Sequence, residues 1–183
     1  MVRFFEPVKF ILLLIWPLLT FSQADTEDPF GLNDAPVITA KDKTTEALAS
    51  DARSSLVVVT QQGRGGAVSG TGTGFVISED GLIATCAHVI GESRPITIRF
   101  DNGKEHEVTE IHAWDRKLDL AILRIEAKGL NPLPLARTEA VKQGTEVIAM
   151  GNPHGLEFSV VRGVVSGLRE IDGLSLIQIA IPI

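Results

Sequence analysis

The sequence predicts an all-β fold, in which a small closed barrel of antiparallel strands is followed by a shorter second set, and three observations carry that expectation. Between residues 54 and 125 the chain reads as six short apolar or alternating runs of strand length. Turn chemistry separates them, at Glu79-Asp80-Gly81, Gly91-Glu92-Ser93 and Asp101-Asn102-Gly103. A linker with two prolines, GLNPLPLART, then precedes three further strand-like runs.

The first six elements are SSLVVVTQQ, TGFVIS, LIATCAHV, PITIRF, EHEVTEIHA and DLAILRI. Six antiparallel strands at this spacing suit a closed barrel, which removes the exposed edges that invite aggregation. GRGGAVSGTGTG, residues 63 to 74, reads as a glycine-rich loop between the first two. It lacks the GK[ST] element of a phosphate cradle and leads into a strand instead of a helix N-terminus. The later runs, GTEVIAMG, EFSVVRGVVSGL and SLIQIAIPI, are too few to close a second barrel, with GNPHG (151 to 155) as a turn between the first two. LIQIAIPI is apolar on both faces and expects a neighbour on each side.

Upstream, MVRFFEPVK carries Arg3 and Lys9, FILLLIWPLLTF is an apolar run, and Ser22-Gln23-Ala24 is a small-x-small site. That layout is a secretory signal peptide over residues 1–24, and the apolar run is shorter than the roughly 20 residues of a membrane-spanning helix. The expected organisation is therefore a signal peptide at 1–24, a polar lead-in at 25–50, a first barrel at 51–136 and a partial second barrel at 137–183. A short helix is expected within the lead-in from Thr44 or Thr45, where TTEALASDA offers a cap and good helix formers. The address implied is export, to a periplasm or the medium, with no membrane association beyond the signal peptide.

Composition narrows the function. The 183 residues carry 17 Lys and Arg against 23 Asp and Glu, a net charge of −6. No basic patch or interleaved aromatic platform is present, which argues against a nucleic-acid partner. One cysteine, Cys86, excludes an intramolecular disulfide and reads as a small buried residue. His106, His112 and His154 have no ligand-like spacing with cysteines or carboxylates, and no metal and no cofactor are expected in the protein.

His88 is the exception, a single imidazole in the apolar run LIATCAHVI. One reading makes it a satisfied core residue. The other pairs it with Asp119, which heads the apolar strand DLAILRI 31 residues later and needs donors for its oxygens if it is partly buried. An imidazole N–H held by that carboxylate leaves the other ring nitrogen free to act as a base. Asp115, four residues earlier, reads as a turn residue.

GTGFVISEDGLIATCAHVI (72 to 90), with DRKLDLAILRI (115 to 125), resembles the trypsin-like serine proteases of the Deg/HtrA type. The likeness continues through VIAMGNPHGLEFSVVRGVVSGL and SLIQIAIPI and covers residues 54 to 183. It implies a trypsin-like double antiparallel β-barrel, the first barrel complete and the second incomplete, with the active site in the cleft between them. It further implies that His88 is the general base and Asp119 its orienting partner, that the substrates are unfolded or misfolded exported polypeptides, and that a homo-trimer is open to the protein. The family's serine loop, of the form NPGNSGGP, follows the strand matching LIQIAIPI, so the expected chain holds a base and its orienter with no nucleophile of its own. The alternative is a catalytically inactive binding or regulatory barrel, or a fragment without function.

Overall fold

The structure is a computed structural model, and it describes residues 43–63, 66–91, 95–135, 141–152, 158–171 and 173–182. The expected signal peptide, most of the lead-in and His154 lie outside the described residues. The first element among the described residues is α1 (Thr45–Arg53), whose N-cap Thr44 accepts a hydrogen bond from Ala47 N at 3.2 Å. A threonine hydroxyl satisfies one of the donors left free in the first turn, so the helix starts where the sequence placed it.

Six strands follow: β1 (Leu56–Gln62), β2 (Val68–Val76), β3 (Leu82–Cys86), β4 (Ile96–Phe100), β5 (Glu105–Asp115) and β6 (Leu120–Ile125). They close into a barrel in the order β1-β2-β3-β6-β5-β4, with every pairing antiparallel. The closed all-β barrel expected from the spacing is thus present. Two boundaries differ from expectation. The glycine-rich run is not loop throughout, because β2 begins at Val68 and pairs with β1 from there on. The run LIATCAHV is not one strand either: β3 ends at Cys86, and α2 (Ala87–Ile90) forms a single helical turn.

The burial pattern explains why the β1 run is apolar without alternation. Val57 and Val59 point into the barrel beside Val76, Ile83, Ile98, Leu123 and Ile125. Leu56 and Val58 point outward, where they meet Phe75, Ala84 and Phe158, with Leu133, Leu135 and Met150 packed against them. A strand covered on both faces favours water exclusion at every position, and the continuous run is the result.

The proline-bearing linker supplies part of that outer cover and is tied to the barrel, with Leu130 N donating to Glu79 O at 3.1 Å and Leu133 N to Val76 O at 2.9 Å. Beyond it β7 (Glu146–Gly151), β8 (Ser159–Ile171) and β9 (Leu174–Ala180) form a three-stranded antiparallel sheet with β8 in the middle. Of the neighbours that LIQIAIPI expects on each side, β8 is present on one, so that among the described residues β9 is an edge strand and only partly covered.

Barrel and sheet are joined by a small buried polar cluster. Thr73 Oγ1 accepts from Asn152 N at 2.8 Å and from Asn152 Nδ2 at 3.1 Å, while Asn152 Oδ1 accepts from Phe158 N at 2.7 Å. Thr85 Oγ1 completes it by donating to Thr73 O at 2.7 Å. Buried polar groups that find partners fix geometry, because each alternative arrangement leaves a donor or acceptor dry.

Candidate active site

Strand register brings His88 and Asp119 together. In the β3–β6 pair, Cys86 stands opposite Leu120, so the next residue on each strand, Ala87 and Asp119, meets across the end of the ladder. Ala87 N donates to Asp119 O at 3.0 Å and extends the pairing by one bond. The chain then turns into α2, which carries the His88 ring back over the Asp119 carboxylate. Both carboxylate oxygens are used: Oδ1 accepts from the His88 backbone N–H at 2.9 Å, and Oδ2 lies 2.5 Å from His88 Nδ1.

An ionised carboxylate can only accept, so the proton in the second bond belongs to Nδ1. Nε2 then carries the lone pair. His88 is exposed and Asp119 is half-buried, so that nitrogen is open to an approaching molecule while the far side of the ring is held. A base whose orientation is fixed from behind needs little reorganisation when it takes a proton, and the resulting imidazolium is stabilised by the carboxylate it touches.

Backbone geometry contributes as well. Asp119 lies in the left-handed region with φ +53°, an unusual conformation for a residue with a side chain. Aspartate tolerates it better than most, and here the conformation is held by the bonds to Ala87 and His88. Asp115, the other carboxylate weighed from sequence, caps the intervening turn by accepting from Lys117 N at 2.7 Å and Leu118 N at 3.0 Å.

Two residues that the sequence did not single out hold α2 in place. Gln61, buried at the end of β1, donates through Nε2 to the carbonyl of Val89. Gly72 on β2 lets α2 approach, since a Cβ there would sit 2.5 Å from Val89 Cγ1. Cys86, read from the sequence as a small buried residue, ends β3 two positions before His88. It is buried, and its Sγ lies with a His88 ring nitrogen and an Asp119 oxygen in a cluster whose ligand-type atoms are all within 4.8 Å of one another. Burial pushes the Cys86 thiol up to about 11, with the Asp119 charge adding to the effect.

The other histidines stand apart. His106 and His112 lie on β5, where His106 meets Phe100 edge-on with ring centroids 5.8 Å apart and His112 is exposed. Neither joins a cluster of metal-type ligands among the described residues.

A closed antiparallel barrel, a second antiparallel sheet docked against it, and a His–Asp pair at the barrel's rim define a trypsin-like peptidase fold. Residues 72–183 match the family model for the trypsin-like peptidase domain, and the chain belongs to that family. Among characterised proteins it is 43% identical over 99 residues to the mitochondrial serine protease HTRA2 of Bos taurus, covering 54% of this chain and 21% of that one. It is 40% identical over 98 residues to a probable periplasmic serine endoprotease, DegP-like, of Halomonas elongata, covering 54% and 20%. The crystal structure of the serine endoprotease from Yersinia pestis superposes with a TM-score of 0.63 at 29% identity, over 68% of this chain and 45% of that one. The chain thus resembles HtrA/Deg serine proteases while its match spans about a fifth of the length of these curated relatives.

Proposed function

We propose that this chain provides the base half of a serine endopeptidase of the HtrA/Deg type, with His88 as general base and Asp119 as the residue that orients it. The observation that carries this reading is the two-oxygen grip of Asp119 on His88, through the backbone N–H at 2.9 Å and Nδ1 at 2.5 Å, which leaves Nε2 as the free nitrogen. A core histidine without a catalytic task has no need of an exposed ring aimed away from its partner. In this family the nucleophilic serine and the oxyanion hole belong to the loop placed after the strand matching β9. The reaction is acyl transfer: His88 Nε2 takes the proton of that serine as its oxygen attacks a peptide carbonyl, then returns it to the leaving amine. The substrates are unfolded polypeptides reached after export.

The test is to read the coding sequence past codon 183, express the extended product, and follow hydrolysis of an unfolded protein such as reduced casein. His88→Ala should lower kcat by about 10⁴ or more, and Asp119→Asn by about 10⁴ through the wrong tautomer, with KM little changed. Unaltered turnover in His88→Ala would remove the assignment. An open reading frame without a serine loop would favour the second reading, a binding barrel, for which the closed core of the first six strands is sufficient support.

A further inference from the structure

Beside the proposed base and its orienter lies a third donor, the Cys86 thiol, that proteolysis does not need. Cys86 Sγ, a His88 ring nitrogen and an Asp119 carboxylate oxygen fall within 4.8 Å of one another, one from the end of β3, one from α2 and one from the residue just before β6. The thiol is buried, at 7% exposure, and makes no hydrogen bond among the described residues, so its position beside the dyad is not explained by a polar task in the resting protein. The elements that carry the three donors are fixed to one another by the Cys86–Leu120 pairing and the Ala87–Asp119 bond, so the cluster is assembled before any ligand arrives.

We propose that Cys86, His88 and Asp119 form a zinc site that switches the His88 base off. Sulfur, imidazole nitrogen and carboxylate oxygen are the donors of tetrahedral zinc, and three protein ligands leave the fourth position to water. Hard cations such as magnesium or calcium, which require oxygen ligands, are disfavoured by the thiol. In a tetrahedral centre with bonds of about 2.0 to 2.3 Å, adjacent donors lie about 3.3 to 3.7 Å apart. Closing the present cluster on an ion requires the donors to draw in from their present spacing and the Nδ1–Oδ2 contact of 2.5 Å to open and admit it.

The proton balance gives the regulatory consequence. Zinc takes the Nδ1 lone pair, so the imidazole proton moves from Nδ1 to Nε2, and the Cys86 thiol releases its proton to solvent. No electron is transferred, and the thiolate and carboxylate neutralise the ion. With its proton on Nε2, His88 can no longer accept one from a nucleophile. This consequence for proteolysis rests on the function proposed above, whereas the metal site itself does not.

The test uses the 183-residue chain with cobalt(II) as a spectroscopic probe and zinc(II) as competitor. The expected result is one equivalent of cobalt bound with a thiolate-to-cobalt charge-transfer band in the near ultraviolet, bleached by stoichiometric zinc. Cys86→Ala should abolish the band and weaken zinc about 100-fold or more. His88→Ala, an exposed position whose loss leaves the core intact, should weaken it comparably, and His106→Ala should not change it. In ¹⁵N spectra of the imidazoles, zinc should move the His88 proton to Nε2. Cobalt binding without a charge-transfer band, or zinc affinity unchanged in Cys86→Ala or His88→Ala, would overturn the site. Intact binding with no loss of casein hydrolysis in the extended product would leave the site standing and overturn its role as a switch, while an extended product with no hydrolytic activity would count against the proposed function alone.

Discussion

Asp119 bears two demands at once, since its backbone is left-handed at φ +53° and its carboxylate must receive two donors from His88. The backbone demand favours glycine and the chemical demand excludes it. Comparing substitutions separates them: Asp119→Ala and Asp119→Gly both lose the carboxylate, but only alanine retains the left-handed penalty of about 1 kcal/mol. In urea titrations Asp119→Gly should therefore be the more stable by about that amount, less the entropy that glycine adds to the unfolded chain. A glycine variant less stable than the alanine one would mean that the left-handed turn is not imposed by its surroundings. The neighbouring Cys86 gives a second expectation. Its folded thiol ionises near 11 against an ordinary value of 9.0, so the neutral thiol is the form the fold prefers. The contribution is fully present below about pH 9 and is lost as pH rises toward 11, because the unfolded thiol ionises first. Stability should fall over that window by about 2 to 3 kcal/mol relative to Cys86→Ala, whose profile lacks this component. Parallel profiles for the two proteins would show that the thiol is not shielded.

At the scale of elements, α2 is a helix too short to hold itself, four residues with no side-chain cap at its N-terminus. Its place is set from outside, by the Ala87 and His88 bonds to Asp119, by Gln61 on the Val89 carbonyl and by Val89 seated over Gly72. Gly72→Ala places a methyl 2.5 Å from Val89 Cγ1, so α2 must lift and take His88 with it. The expected cost is about 1 to 3 kcal/mol of stability, largely recovered when Val89→Ala is added. A double-mutant cycle with no coupling would show that the two side chains do not compete for that space. The same contacts explain what could be read from the sequence. Strand runs with turn residues between them located the barrel, and an aspartate heading an apolar run located the partner of His88. The helical turn beneath the histidine could not be read, because four residues carry no period and apolar residues continue the strand pattern through it. Gln61 escaped for a different reason: a glutamine at the end of a strand looks like an exposed end, and only barrel closure buries it against α2.

The whole molecule combines two sheets of unequal closure. The barrel has no free edge and encloses a core with Val57, Val59, Val76, Ile83, Ile98 and Leu123 at zero exposure. In the three-stranded sheet both β7 and β9 are edges among the described residues, and β8 leaves Val164, Leu168 and Ile171 at 41%, 52% and 52% exposed. The inner part of that sheet is nonetheless tied to the barrel, through Met150 and Phe158 in the shared apolar cluster and through the Asn152–Thr73 bonds. Local opening is governed by how much buried contact each segment must surrender, so the two sheets should not open together. In native-state hydrogen exchange, the amides of β3 and β6 should outlast those of β9 by at least about tenfold, with the β7 end nearest Asn152 between them. Asn152→Ala removes the side-chain bond to Thr73 Oγ1 and leaves the buried Phe158 N–H without its acceptor, while the backbone N–H at 152 still donates to Thr73, so it should speed exchange in β7 and β8 while the barrel amides keep their protection. Uniform acceleration in both sheets would mean that barrel and sheet form one cooperative unit. The rim that carries His88 and Asp119 belongs to the β3–β6 end of the barrel, so the pair should keep its geometry while the second sheet opens beside it.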